Sequence, residues 1–236
     1  MSNLMNWVYL ARLAVRSPGD LGIIQRVRRE KLTYLDPRAL VELYLAVKHV
    51  ERAKIPGLLV EAGCALGGSA LVLTSAKAVQ RPMQVFDAFG LIPPPSSLDE
   101  EDAHLRFAEI SSGQAQGIKG DPYYGYQPDL LEGVIRNFRS FGFDPPQHHV
   151  DFVKGLYEDT LLLYEPVALA HLDCDWYDSV MTCLNQIVPV LVPGGILIVD
   201  DYYAWSGCRK AVDDYFADRK QAFEFVEKGR LHIVRR

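Results

Sequence analysis

The chain lacks a cysteine framework, a long apolar run and any surplus of positive charge, and each absence removes a class of function. Its four cysteines, Cys64, Cys174, Cys183 and Cys208, lie far apart with no C-x-x-C pair. Their spacing therefore encodes neither a zinc site nor a disulfide scaffold, and a cytoplasmic, reducing setting is the simpler expectation. A bilayer span needs about 20 consecutive apolar residues. The nearest approach, Leu4 to Val15, is interrupted by Asn6 and Arg12 and carries no cleavage signal. It reads as an amphipathic helix that packs on the domain or on a second subunit, with a membrane-surface contact as the lesser alternative; no stable membrane insertion is expected. The net charge is −5, whereas phosphate backbones demand clustered Lys and Arg. The short basic run Arg26 to Lys31 does not reverse that balance, so nucleic acid is not an expected partner.

What is present is an ordinary globular composition, 49% hydrophobic and 23% charged over 236 residues, enough for one sizeable core. From Pro37 to Lys54 apolar residues recur at helical spacing, with Asp36 and Pro37 as N-cap and first-turn signals. A short buried-strand pattern, Leu58 to Glu61, leads into a glycine cluster and a helical stretch from Ser69 to Val79. The same beat returns at Met83 to Phe86, His149 to Val153, Val167 to Leu172 and Gly195 to Val199. Strands alternating with helices imply an α/β, doubly wound, mostly parallel sheet with helices on both faces. The tail breaks the rhythm: Ala222 to Glu227 and Leu231 to Val234 are separated by so little chain that they must be antiparallel neighbours. Such an ending favours a methyltransferase-type sheet over a dinucleotide-binding one. Residues 1–56 read as an N-terminal helical extension and 57–236 as the main domain, with a poorly periodic lid at about 90–127.

Three places carry chemistry. The segment Val60 to Ser69 puts Gly63, Gly67 and Gly68 at a strand-to-helix turn, where backbone must approach a ligand or adopt positive φ. Ala65 stands where the pyrophosphate fingerprint has its second glycine, so a dinucleotide is disfavoured. Glu61, just ahead of the first glycine, suits a cationic ligand; a tight turn made for packing is the plainer alternative. Asp87 ends the second strand about 20 residues on, where doubly wound folds grip a ribose diol. Finally, Asp173 and Asp175 lie at i and i+2, on one face if the strand continues, and Asp200 and Asp201 follow the next strand. Oxygen-only ligation selects a hard ion, with Mg²⁺ the natural occupant and Mn²⁺ or Ca²⁺ as substitutes; solvated strand-end caps are the alternative. His148 and His149 read as a surface loop or strand entry. Trp176, Tyr177, Tyr202, Tyr203 and Trp205 are candidate pocket walls, with Tyr202 and Tyr203 favoured because they follow Asp201 directly.

Taken together, Thr33-Tyr34-Leu35, V-E-x-G-x-x-x-G-G-S, D-x-F-G, the stretch Val153 to Leu161, H-L-D-C-D-W-Y-D-S and V-P-G-G-x-x-x-V-D-D-Y resemble the macrocin O-methyltransferase (TylF-type) family over roughly Lys31 to Phe216. The resemblance implies a Rossmann-like class I methyltransferase with a seven-stranded sheet and an antiparallel last strand. It implies S-adenosylmethionine bound at Thr33, Tyr34, Glu61, Ala62, Gly63, Cys64, Ala65, Gly67, Ser69, Asp87, Phe89, Gly155 and Leu172. It further implies Mg²⁺ on Asp173, Asp200 and Asp201, Asp175 as the base, a homodimer, and a hydroxylated, glycosylated small-molecule acceptor from natural product biosynthesis. Cys64-Ala65-Leu66 and Ala88 depart from the commoner family residues. The rival readings are a phenol or catechol acceptor, a nicotinamide-dependent dehydrogenase, and an accessory S-adenosylmethionine binder without turnover.

Overall fold

The computed structural model describes residues 18–236, so the Leu4 to Val15 stretch lies outside the described residues. In chain order the main elements are α1 (Pro18–Arg29), α2 (Pro37–Arg52), β1 (Leu58–Ala62), α3 (Gly68–Ala76), β2 (Met83–Asp87), α4 (Glu101–Ser111), α5 (Leu130–Ser140), β3 (Val150–Lys154), α6 (Tyr157–Thr160), β4 (Val167–Leu172), α7 (Tyr177–Ile187), β5 (Leu191–Val199), α8 (Ser206–Phe216), β6 (Phe223–Glu227) and β7 (Leu231–Arg235). The cap of α2 is as expected: Asp36 accepts from the Ala39 amide at 2.9 Å, and Pro37 fills the first turn.

Seven strands form one sheet in the order β3-β2-β1-β4-β5-β7-β6. β7 runs antiparallel to both neighbours, and the other pairings are parallel. The strand-to-strand alternation of side chains divides the core into two layers. Leu59, Val85, Leu169, Ile196 and Ile198 pack under α1, α2, α3 and α5. Val60, Phe86, Ala170, Leu172, Leu197 and Val199 pack under α7 and α8. Because both faces are covered, β1 and β4 are buried throughout, which is why their sequences are nearly continuous apolar runs.

The order reverses between β1 and β4, and crevices outside the carboxyl ends of strands form at such switch points. Here the ladder continues one residue beyond each strand. Gly63 N–H donates to Phe86 at 2.8 Å, Asp173 N–H to Ala62 at 2.8 Å, Asp200 N–H to Leu172 at 2.8 Å and Gly155 N–H to Asp87 at 3.1 Å. Four of the expected site residues are thereby set in a row along one edge.

The stretch 90–127 is more ordered than its weak periodicity suggests. It contains α4, which buries only Ala103 and Ile110, and a small apolar cluster of Ile110, Ala115 and Tyr123. So few buried positions leave a faint helical pattern. No helix among the described residues is long and apolar enough to cross a membrane.

Candidate active site

Two cavities meet at the sheet edge. One, of about 510 Å³, is lined by Gly63, Asp87, Gly90, Gly155, Tyr157 and Asp173 among others. The second, of about 890 Å³, is walled by Tyr34, Arg106, Tyr123, Trp176 and Trp205 and floored by Asp173, Asp175, Asp200 and Asp201. Gly63, Tyr124, Asp173 and Asp175 line both, so a group held in one reaches a group held in the other across these residues.

The glycine turn is shaped by the absence of side chains. Gly63 has φ +89°, and a Cβ there would sit 1.8 Å from the Asp173 carbonyl oxygen. Gly63→Ala is expected to destabilise the fold by more than about 2 kcal/mol, combining a left-handed conformation with a clash against backbone; equilibrium urea unfolding checks this. Asp87 holds the turn from the neighbouring strand. Its Oδ2 accepts from the Cys64 and Ala65 amides at 2.8 and 3.1 Å, and its Oδ1 from Phe89 at 2.7 Å. Burial nonetheless lifts its carboxyl above the usual range, against those three donors.

The structure distributes the expected cofactor residues unevenly. Gly63, Asp87 and Gly155 line the smaller cavity, and Tyr34 and Ala65 line the larger. Thr33, Glu61, Ala62, Cys64, Gly67, Ser69, Phe89 and Leu172 line neither. Phe89 is core, edge-on to Phe152. Thr33 folds back on its own turn, its hydroxyl accepting from the Leu35 amide at 3.1 Å. Glu61 belongs to the inner row of β1 and is fully buried, with Oε1 3.2 Å from His171 Nδ1.

The aspartates converge, although not by strand alternation. β4 ends at Leu172 and Asp175 takes φ +56°, so the turn rather than the i, i+2 rule brings it back beside Asp173. Carboxylate oxygens of Asp173, Asp175 and Asp201 lie within 4.8 Å of one another, and Asp201 Oδ2 is buried without a hydrogen-bond partner. Burial and mutual repulsion push the Asp173 and Asp201 carboxyls well above the usual range, and burial first of all pushes Asp175 up to about 6. An all-oxygen donor set with an orphaned buried atom fits a hard divalent cation.

Asp200 lines the same cavity but answers to different neighbours. Arg230 Nε donates to its Oδ1 at 2.6 Å, and His171 Nε2 lies 3.8 Å away. Burial works to raise Asp200, yet His171 and Arg230 more than offset it and hold the carboxyl below its usual value. His171, fully buried, is lowered by burial but raised more strongly by Asp200 and Glu61, to about 9. Glu61, His171, Asp200 and the half-buried Arg230 thus form a row of ionisable groups behind the three remaining carboxylates.

Among the aromatics the structure reverses the expected preference. Trp176 and Trp205 wall the cavity and meet edge-to-face at 5.3 Å. Tyr202 and Tyr203 do not line it: the Tyr202 hydroxyl donates to Asp213 at 2.9 Å, and Tyr203 is 44% exposed. The single turn of 3₁₀ helix at Asp201–Tyr203 rotates them outward, as a three-residue repeat must when Asp201 points in. His148 and His149 stand at the amino end of β3, away from the site edge, as expected. Arg106, Arg230 and His171 were not singled out from the sequence. A basic or histidine residue in a lid helix, a hairpin turn or a strand interior carries no local signal.

The comparisons with known proteins agree with this geometry. The family model for macrocin-O-methyltransferase (TylF) matches residues 29–227. A tetracenomycin-series 4'-O-methyltransferase of Streptomyces olivaceus, named for its dimethoxy-rhamnosyl substrate, is 33% identical over 189 residues, covering 78% of this chain and 67% of its own. Mycinamicin III 3''-O-methyltransferase of Micromonospora griseorubida is 30% identical over 210 residues, covering 85% and 76%. Among solved structures, the O-methyltransferase NovP superposes with a TM-score of 0.71 at 27% identity, covering 87% of this chain and 82% of that one. The calicheamicin methyltransferase CalS11, at 17% identity and a TM-score of 0.63, shares the fold. With this sheet order, these motifs at one edge and these relatives, the chain is an O-methyltransferase that belongs to the macrocin O-methyltransferase (TylF) family.

Proposed function

We propose that the protein transfers a methyl group from S-adenosylmethionine to a sugar hydroxyl of a glycosylated small molecule, with a divalent cation at the aspartate cluster. The observation that carries this reading is the meeting of two cavities over clustered carboxylates. In the smaller cavity, the Gly63 and Gly155 turns pack tightly on the Asp173 carbonyl and on Thr160 and so form a close-set wall for a ligand, and Asp173 lines this cavity as well as the larger one. When bound there, S-adenosylmethionine supplies an electrophilic methyl on a positively charged sulfur. The larger cavity is walled by rings, which suit the apolar faces of a sugar. Relatives named for rhamnosyl-tetracenomycin and mycinamicin substrates support that acceptor class.

Asp173, Asp200 and Asp201 are the residues that would hold the ion. When bound, a divalent cation supplies the Lewis acidity that makes a hydroxyl easier to deprotonate. Asp175 takes the proton: a carboxyl raised to about 6 is a better base near neutrality than an ordinary aspartate. The remaining work is orientation of acceptor and donor in line, and exclusion of water by the lid. A second assignment of the ligands follows from Asp175 lying within the close group while Arg230 engages Asp200; there Asp200 positions the others and Asp175 binds the ion. Cation titration of Asp200→Ala and Asp175→Ala separates the two, since loss of a direct ligand weakens binding more than loss of its support.

Arg106 and Arg230 are the cations lining the larger cavity, and Arg230 is committed to Asp200. Arg106 pairs with the exposed Glu109 on its own helix at 2.5 Å, a contact that leaves further guanidinium donors to meet the acceptor. Arg106→Ala is expected to raise the acceptor KM roughly tenfold or more, the worth of a charged hydrogen bond, with a smaller change in kcat. Steady-state kinetics at saturating donor check it. The reading as a whole is tested by measuring S-adenosylhomocysteine released with deoxysugar glycosides against catechols, with and without chelator. Turnover of catechols alone would overturn the sugar assignment, and turnover undiminished by chelator would overturn the cation. A homodimer in the cytoplasm completes the reading, and light scattering of the purified chain tests the dimer.

A further inference from the structure

Helices α7 and α8 leave the two aspartate turns, and neither is capped by the side chain of the residue that precedes it, Trp176 or Trp205. The caps come from the lid. Asp99 Oδ1 accepts from the Tyr177 amide at 2.7 Å, while its Oδ2 accepts from the Ser96 amide at 2.9 Å. Asp102 Oδ2 accepts from the Ser206 amide at 3.0 Å, and its Oδ1 from the Ser206 hydroxyl at 2.6 Å. A third tie runs the other way, from Trp176 Nε1 to the Pro93 carbonyl at 3.0 Å.

The seat for Asp99 is built. The side chain is 7% exposed, and a Cβ on Gly207 would fall 1.9 Å from its Oδ1. One short lid segment, 93–102, therefore grips both turns that carry Asp173, Asp175 and Asp201, and the same segment leads into the helix bearing Arg106. An unmet helix N-terminus satisfied by a carboxylate gains from both the hydrogen bond and the dipole. Here that gain fixes one turn relative to the other.

We propose that Asp99 and Asp102 are positioning residues of the methyl-transfer site, which cap α7 and α8 from the lid and thereby set the spacing of the aspartate cluster beneath it. The proposal deepens the reading above and rests on it for the cation. It also sets the 93–102 base of the lid apart from the outer part beyond α4, which makes no such caps. That part is tied to the body by Lys31, whose Nζ lies 2.8 Å from both oxygens of Asp121.

The test measures Mn²⁺ affinity and S-adenosylhomocysteine affinity of the full chain for Asp99→Ala, Asp102→Ala, Asp102→Asn and Gly207→Ala. Supporting groups behind metal ligands are typically worth about 10–100-fold in affinity. Both alanine variants are expected to weaken Mn²⁺ at least about tenfold while leaving S-adenosylhomocysteine binding within about twofold. Gly207→Ala, which evicts Asp99 without removing it, should match Asp99→Ala. Asp102→Asn, which keeps an acceptor for the Ser206 amide, should recover most of the loss. Unchanged Mn²⁺ affinity in folded variants overturns the proposal, as does equal loss of both ligands without rescue by asparagine. Should the unsubstituted protein bind no Mn²⁺, the cation reading falls instead. Amide exchange at 173–176 and 201–205 then decides the positioning role: faster exchange in Asp99→Ala and Asp102→Ala upholds it, and unchanged exchange overturns it. If an alanine variant does not fold, the same comparison is made on Asp102→Asn and Asp99→Asn.

Discussion

Asp173→Asn should abolish methyl transfer and, in chelator, leave the protein more stable than before. The two effects have one origin. Carboxylates of Asp173, Asp175 and Asp201 lie within 4.8 Å of one another, and unit charges at that separation repel by about 3 kcal/mol at an effective dielectric of about 20. The metal-free fold meets that repulsion by holding Asp173 and Asp201 protonated, at a cost that grows as pH rises above their unfolded values; a neutral amide at Asp173 removes its share, so an increase of about 1–3 kcal/mol in metal-free stability is expected near neutral pH. With divalent cation present the order reverses, because the unsubstituted cluster gains binding energy that the variant lacks. Lewis-acid stabilisation amounts to several kcal/mol, so activity should fall about a thousandfold or more. Melting curves of both proteins, with chelator and with Mg²⁺, should therefore cross. Parallel shifts in the two conditions would mean that the cluster holds no ion.

The second large effect is the pH dependence of that stabilisation. Asp175 has its carboxyl raised from 3.8 to about 6 by burial, and Asp173 and Asp201 are raised well above the ordinary value. A carboxyl whose folded pKa exceeds its unfolded pKa favours the fold while protonated. That contribution is complete below about pH 3.8 and is lost as pH climbs through about 6 and beyond. Metal-free protein should accordingly lose stability across this window, and Mg²⁺, which competes with those protons, should restore it. At about a hundredfold excess over Kd the ligand adds about 2.7 kcal/mol, or roughly 5–10 °C for a chain of this size. The shift in Tm caused by Mg²⁺ should be small at pH 5 and near its full value at pH 8. His171 acts in a different window: its folded pKa is raised to about 9, so its contribution is full below 6.5 and lost as pH rises through about 9. The difference between melts with and without Mg²⁺ largely isolates the carboxylates. A Mg²⁺ shift that does not change between pH 5 and 8 would refute their assignment as ligands.

Much of the architecture was legible because it is written in short-range pattern. Nearly continuous apolar runs at Leu58 to Ala62 and Val167 to Leu172, broken only by Glu61 and His171, mark strands covered on both faces. The brief link at Lys228 to Arg230 forces the antiparallel ending, and Asp36 with Pro37 announces a helix start. The lid was harder to read, since α4 buries too few residues to leave a helical period.

The site was legible to a lesser depth. Strand ends place Gly63, Asp87, Gly155, Asp173 and Asp200 along one edge, because parallel strands in register deliver their next residues together. How those side chains divide their labour is not a local property. Glu61 meets His171 through Oε1 because β1 and β4 are adjacent, a pairing between residues far apart in the chain. Arg230 reaches Asp200 only because β7 lies beside β5. Tyr202 and Tyr203 turn outward because Asp201 turns inward.

Sequence alone therefore determined the fold class, the family and the residues that arrive at the carboxyl edge of the sheet, all of which follow from periodicity and strand-end motifs. Tertiary structure decided which aspartates share one space, which is clamped by arginine, which aromatics line the larger cavity, and how the lid grips the helices beneath it. The physical reason is range: backbone preference acts over a few residues, whereas electrostatic pairing and capping depend on which distant strands and helices the packed core brings within hydrogen-bond reach.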